Sequence, residues 1–173
     1  MPDTLLGARI LKVNHAGENG AVHIYAGQIF VARLTAQSLV AELREFKAHE
    51  ESHRAIFEAE LQRRGRPRCR SFLMCGLGGY VLGFLSALFG RSAIVATTVA
   101  VEQVVLVHLR RQLAALEGQD EAAIDAITKI VAEEQQHHDS SAAHIGEPKI
   151  WSKLLTLIVS ASTESVIWVG MHL

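Results

Sequence analysis

The sequence predicts an all-α protein: two helical hairpins forming a four-helix bundle, joined by a long apolar crossover and followed by a C-terminal apolar helix. Three observations carry this expectation. The chain is 49% hydrophobic but only 6% aromatic with 3 prolines, so it is poor in strand and turn formers. Apolar residues recur every three to four positions over several long stretches, the period of a helix with one buried face. One side-chain pattern also occurs twice: a glutamate followed 32 residues later by Glu-x-x-His, as Glu18 with Glu50 and His53, and as Glu102 with Glu134 and His137. A length of 173 residues suits a single domain, 1–173. Within it the expected divisions are hairpin 1 at about 4–64, the crossover at about 71–90, hairpin 2 at about 92–144 and the last helix at about 150–171.

Taken in order, Pro2-Asp3-Thr4 offers a helix start, and Ile10, Val13, Gly17, Ala21, Ile24 and Ile29 carry the helical spacing to about Leu34. Glu18 sits among Ala16, Gly17, Gly20 and Ala21, small residues that let a neighbouring helix approach. A break at Thr35–Ser38 leads to a second helix over Leu39–Arg64. There Leu39, Leu43, Phe46, Glu50, His53, Phe57 and Leu61 form one stripe. A carboxylate on an apolar stripe is costly unless it is paired or metal-bound. Five arginines at 63, 64, 66, 68 and 70 then precede Phe72–Phe89, 18 residues without a charge. That stretch suits a segment lying in or dipping into a membrane surface beside a basic cluster. A buried crossover between the hairpins, or a true span, are the other readings. The third helix, to about Glu117, is almost wholly apolar from Ala93 to Val107 except for Glu102. His108, six residues on, is placed at the rim of the same pocket or as a core histidine. Gly118 and Asp120 end that helix and cap the fourth, about Glu121–His144, whose stripe carries Glu134 and His137. Trp151 and Trp168 lie near the ends of the last helix, a spacing that suits an interfacial belt and one lipid-facing side.

On a helix, positions i and i+3 share a face, so each Glu-x-x-His step points two ligand side chains the same way. Four carboxylates and two imidazoles, without thiolates, suit iron or manganese. The set is that of ferritin-like di-metal bundles, with one histidine and one terminal carboxylate per metal and two carboxylates bridging. Four carboxylates balance the charge of two divalent cations. With iron, such a centre points to oxidation by O2, and the apolar surroundings point to a lipid-soluble substrate.

Other classes fit less of the chain. A net charge of −1 argues against nucleic acid as a partner. Cys69 and Cys75 form no CxxC motif, which suggests a reducing compartment. His49, Glu50 and His53 spell H-E-x-x-H, the zinc-protease motif, but that reading leaves Glu18, Glu102, Glu134 and His137 unused. A ferritin- or rubrerythrin-like iron oxidase or peroxide scavenger would use all six ligands but not the apolar segments. The N-terminus shows neither a secretory signal pattern nor a transit pattern, and the expected location is the cytoplasmic face of a bacterial inner membrane. For a eukaryotic mature form it is the matrix face of the mitochondrial inner membrane.

The stretches NHAGENGAVHIYAGQ (14–28), LGFLSALFG (82–90), TTVAVEQ (97–103), EEQQHHD (133–139) and the closing IW (167–168) resemble the demethoxyubiquinone hydroxylases. These are ferritin-like di-iron monooxygenases of ubiquinone biosynthesis, and the similarity runs nearly the whole chain in order. The resemblance implies hydroxylation of a demethoxy-polyprenyl-benzoquinol at a membrane surface. It implies two iron ions, O2 and an external reductant, NADH or the quinol itself. The metal ligands it implies are again Glu18, Glu50, His53, Glu102, Glu134 and His137. It also places His108 near the metal centre, followed here by Leu109 where some relatives have tyrosine. A homo-oligomer and a lipid-binding accessory protein are the further partners it suggests.

Overall fold

The computed structural model describes residues 4–144 and 150–172, apart from the side chains of 150–155. Trp151 and Lys153 therefore lie outside the described side chains. The order is α1 (Leu5–Thr35), a short 3-10 turn (Gln37–Leu39), α2 (Val40–Arg63), α3 (Phe72–Leu88), α4 (Arg91–Leu116), α5 (Glu121–Ala143) and α6 (Ile150–His172). Each expected helix is present, with ends within one or two residues. The ends follow local chemistry. Thr4 Oγ1 accepts from Gly7 N at 2.8 Å to cap α1, and Asp120 Oδ1 accepts from Ala123 N at 3.1 Å to cap α5. Gly90 and Gly118 take φ of 80° and 67° where the chain leaves α3 and α4, a region that disfavours any side chain.

Helices α1, α2, α4 and α5 form the bundle, α1 packing on α2 and α4 on α5. Its apolar core falls into two larger clusters, with a smaller third one at Ile24, Ala100 and Val101. One includes Tyr25, Ile29, Leu43, Phe46 and Ile94; the other includes Ile10, Leu11, Phe57, Leu109 and Ile127. Along α1, α2 and α4 the glutamates and histidine of the repeat lie between the two larger clusters, and on α5 Glu134 and His137 follow the second, so a polar layer sits mid-bundle with apolar packing to either side. Each fully buried Leu, Ile or Phe contributes about 1.5–3 kcal/mol, enough in sum to hold a costly layer in place. Helix α4 is long and apolar enough to cross a membrane by length and composition, yet 67% of its most apolar window is buried within the bundle. It is mainly a core helix, whose apolar residues serve packing, with Gln103, Val107, Arg110 and Arg111 on its exposed side.

Helix α3 lies along α1. Gly76, Gly79 and Gly83 are buried and face Asn19, Gly20 and Ile24 of α1. A Cβ at Gly79 would overlap the Gly20 carbonyl oxygen, and one at Gly83 the Ile24 carbonyl oxygen. The glycines that weaken α3 as an isolated helix are thus what lets two backbones touch. Gly79→Ala is expected to cost about 1–3 kcal/mol, the overpacking range. The check is a denaturant midpoint; an unchanged midpoint would mean α3 is not held against α1. The opposite face of α3 is exposed and apolar, with Leu73, Met74 and Leu77 at 67–75% exposure. Helix α6 packs on α4 and α1, burying Val159 against Ile24, Ala100 and Val101, while Leu157, Ile158 and Trp168 remain exposed.

Candidate metal centre

Four helices each bring their part of the repeat to one place. Glu18 comes from α1, Glu50 and His53 from α2, Glu102 from α4, and Glu134 and His137 from α5. All six are 0–5% exposed. They fall into two overlapping groups whose ligand atoms lie within 4.8 Å of one another: Glu18, Glu50, His53 and Glu134; and Glu50, Glu102, Glu134 and His137. Glu50 and Glu134 belong to both groups.

The histidine rings are held from behind. His53 Nε2 lies 2.9 Å from Glu133 Oε2, and because a carboxylate only accepts, Nε2 carries the donated proton. His137 Nε2 lies 2.9 Å from His49 Nδ1. Both rings therefore turn Nδ1 inward, the arrangement in which an outer partner fixes the orientation of a metal-binding imidazole. Tyr25 donates from its hydroxyl to Glu102 Oε1 at 2.8 Å.

Inside the cluster the usual pairing of buried polar atoms breaks down. Glu50 Oε1, both oxygens of Glu134, His53 Nδ1 and His137 Nδ1 are buried without a hydrogen-bond partner. His53 Nδ1 is 2.9 Å from Glu134 Oε1 and His137 Nδ1 3.2 Å from Glu50 Oε1, but these close approaches are not aligned as hydrogen bonds. Unpaired buried groups are rare, and five around one point fit cations that would take their lone pairs. The electrostatics agree. Burial, followed by the charges of Glu50 and Glu134, pushes the Glu18 carboxyl well above its usual range. Burial, with Glu134 and Glu50, does the same to Glu102. Burial opposes charge on His53, but Glu134 and Glu50 outweigh it and raise the imidazole to about 10. Without a cation the cluster holds protons; divalent ions would replace them.

Several expectations are refined here. His49 belongs to neither group and backs His137, so the H-E-x-x-H stretch does not direct both its histidines to one point. His108 also belongs to neither group: its Nε2 lies 2.8 Å from Glu164 Oε2 of α6. Six residues beyond Glu102 is about 240° round a helix, which turns His108 away from the cluster. His138 pairs with Asp139 at 2.9 Å near the surface. Sequence reasoning missed Tyr25, Glu133 and His49 as partners of the cluster. Tyr25 alone had a signal, since it lies two turns from Glu18 on the same face of α1.

Comparison with known proteins bears on this geometry. Residues 6–170 match the family model described as ubiquinone biosynthesis protein COQ7. This chain belongs to the COQ7 family. Similar proteins include the NADPH-dependent 3-demethoxyubiquinone 3-hydroxylase of Dictyostelium discoideum, 34% identical over 166 residues, spanning 94% of this chain and 75% of that protein. The 3-demethoxyubiquinol 3-hydroxylase of Rhodospirillum rubrum is 35% identical over 164 residues, 94% of this chain and 76% of that protein. The human NADPH-dependent 3-demethoxyubiquinone 3-hydroxylase is 34% identical over 170 residues, covering 95% and 77% respectively. The COQ7 match takes in all four helices that carry the cluster.

Proposed function

We propose that this chain is a 3-demethoxyubiquinol 3-hydroxylase with a di-iron centre. The observation that carries the reading is the pair of four-residue groups sharing Glu50 and Glu134, in a chain of the COQ7 family. One iron would be held by Glu18, Glu50, His53 and Glu134, the other by Glu50, Glu102, Glu134 and His137. When bound, the two irons supply the electrons and open positions with which O2 is activated. In the balanced reaction, one oxygen atom of O2 enters the ring C–H bond. The other leaves as water, using two electrons and two protons from an external reductant. NADPH is the reductant named for several relatives and fits that need.

The chain's own residues have three tasks. Glu133 and His49 fix the two imidazoles by their Nε2 atoms, so that both Nδ1 atoms face the cluster before metal arrives. Tyr25 steadies Glu102, the carboxylate nearest the outer surface cleft. That cleft, between α1 and α4, is lined by Ala21, Ile24, Thr98 and Val101 with Tyr25 and Glu102 at its base. Ile24 and Val101 pack there with Leu82 of α3 and Val159 of α6. The cleft holds about 10 Å³, barely a water's worth, so it excludes solvent as it stands. Entry of a quinol ring would require Ile24 and Val101 to part, and the way in would lie between the exposed apolar faces of α3 and α6. Those faces support docking on a membrane surface, from which a polyprenyl quinol would be drawn.

The test is an assay of the anaerobically iron-loaded protein, given a short-chain demethoxyubiquinol, a reductant and isotopically heavy O2. The expected outcome is about two irons per chain and one labelled oxygen in the hydroxylated quinol. Iron oxidation with no labelled quinol would instead favour an iron oxidase. A single tightly bound zinc would remove the reading altogether.

A further inference from the structure

A second cavity, of about 430 Å³, opens where α1, α2 and the segment leading into α3 meet. Its lining includes His15 and Asn19 of α1, Arg54 and Glu58 of α2, and Arg66 and Arg68 of the connecting segment. It lies apart from the carboxylate cluster, since Arg54 is one step, about 100°, round α2 from His53.

The cavity is a constructed one. Arg54 Nη1 donates to Asn19 Oδ1 at 2.9 Å, and Asn19, itself 3% exposed, donates from Nδ2 to the Phe72 carbonyl at 2.9 Å. Arg68 lies over the Phe72 ring, 4.8 Å from its centroid, and His15 stacks on that ring at 4.7 Å. His15 is 3% exposed and its Nδ1 has no hydrogen-bond partner. Burial lowers its pKa, Glu58 opposes this, and Arg54 and Arg68 reinforce it. Three arginines line the cavity, Arg66 and Arg68 among them exposed, and Glu58 is the one acidic residue among the described residues of its lining. No described carboxylate lies within 4.0 Å of the side-chain nitrogens of Arg54, Arg66 or Arg68.

We propose that this cavity is a binding site for a phosphoryl group, presented either by a soluble phosphate ester or by the headgroup of an anionic phospholipid. Guanidinium forks match the oxygens of a phosphoryl group and hold them by charge-assisted hydrogen bonds. Several guanidiniums in a single recess suit a compact tetrahedral anion, whereas a polymer backbone would need an extended basic track. The position admits the lipid source: Phe72 opens α3, and the next residues, Leu73 and Met74, are 67% and 75% exposed. A headgroup in the cavity would place its acyl chains along that apolar face. The inference does not depend on the metal centre.

Titration calorimetry of the full, iron-loaded chain with inorganic phosphate tests it, alongside binding to phosphatidylcholine vesicles with and without phosphatidylglycerol. Arg66→Gln with Arg68→Gln removes two cavity charges; Arg70→Gln with Arg91→Gln removes two that do not line the cavity. The cavity pair is expected to weaken phosphate or phosphatidylglycerol binding at least about tenfold, and the other pair less than about twofold. Displacement of phosphate by phosphatidylglycerol vesicles would identify the lipid as the source, and retention of phosphate a soluble ester. Equal weakening by both pairs would reduce the effect to a diffuse basic field and overturn the proposal. So would the absence of phosphate binding together with vesicle binding indifferent to Arg66 and Arg68.

Discussion

Glu50→Gln or Glu134→Gln is expected to empty both metal positions, whereas Glu18→Gln or Glu102→Gln empties one. The reason is geometric: Glu50 and Glu134 belong to both ligand groups, Glu18 and Glu102 to one each. An amide keeps the volume but loses the charge, so the contrast reads ligation and not packing. Metal content per chain should fall from about two to near zero for the shared pair, and to about one for the others. Hydroxylation should fall by more than about 100-fold in all four, since losing even an outer partner of a ligand costs 10–100-fold. The fold should survive. Burial and neighbouring charge already favour the neutral form of Glu18 and Glu102 in the metal-free cluster, so an amide there removes a strained acid. Elemental analysis with helical circular dichroism makes the check. Equal stoichiometry across the four variants would mean that Glu50 and Glu134 are not shared.

Asp120→Ala should lower stability by about 3–5 kcal/mol, the range for breaking a buried ion pair. Asp120 is 1% exposed and gathers three elements at the far end of the bundle. Arg64 Nη1 and Nη2 donate to it at 2.7 and 2.8 Å, Thr4 N at 3.0 Å, and Ala123 N at 3.1 Å. Removing it uncaps α5, frees the start of α1 and leaves the buried Arg64 guanidinium with Glu60 alone among these carboxylates. For a domain of this size the loss corresponds to a thermal midpoint lower by roughly 6–20 °C. The pH dependence has a definite sign. The Arg64 guanidinium, with lesser help from backbone donors, holds the Asp120 carboxyl well below its usual range. Its stabilisation is therefore complete above about pH 4, where the unfolded aspartate is ionised, and is lost as pH falls further. The gap between wild type and Asp120→Asn should be widest near neutrality and close in strong acid. A gap independent of pH would assign the effect to capping and not to charge.

Much of the fold was legible because helical periodicity and end signals are local. Thr4, Gly118 and Asp120 marked helix ends from the residues alone, and the apolar stripes of α2 and α5 foretold which faces would be buried. The candidate ligands were legible for a related reason. A buried carboxylate is so costly that Glu102, alone in an apolar stretch, stands out, and the repeated 32-residue spacing ties it to the other five. What spacing could not carry was anything that depends on two helices meeting. Glu133 behind His53, His49 behind His137 and Tyr25 on Glu102 are contacts across 80, 88 and 77 residues of chain. H-E-x-x-H and His108 were ambiguous in the sequence because one helix shows which face a residue shares, not what the face meets.

The sequence by itself therefore determined the helices, the hairpin repeat and the six residues aimed inward, since each follows from local periodicity and the cost of burying charge. Only the tertiary structure decided that Glu50 and Glu134 belong to both candidate groups, and that α3 lies on α1 through its glycines. It alone gathered Arg54, Arg66 and Arg68 around one cavity, because these relations are set by how separate helices pack and leave no trace in the spacing along any one of them.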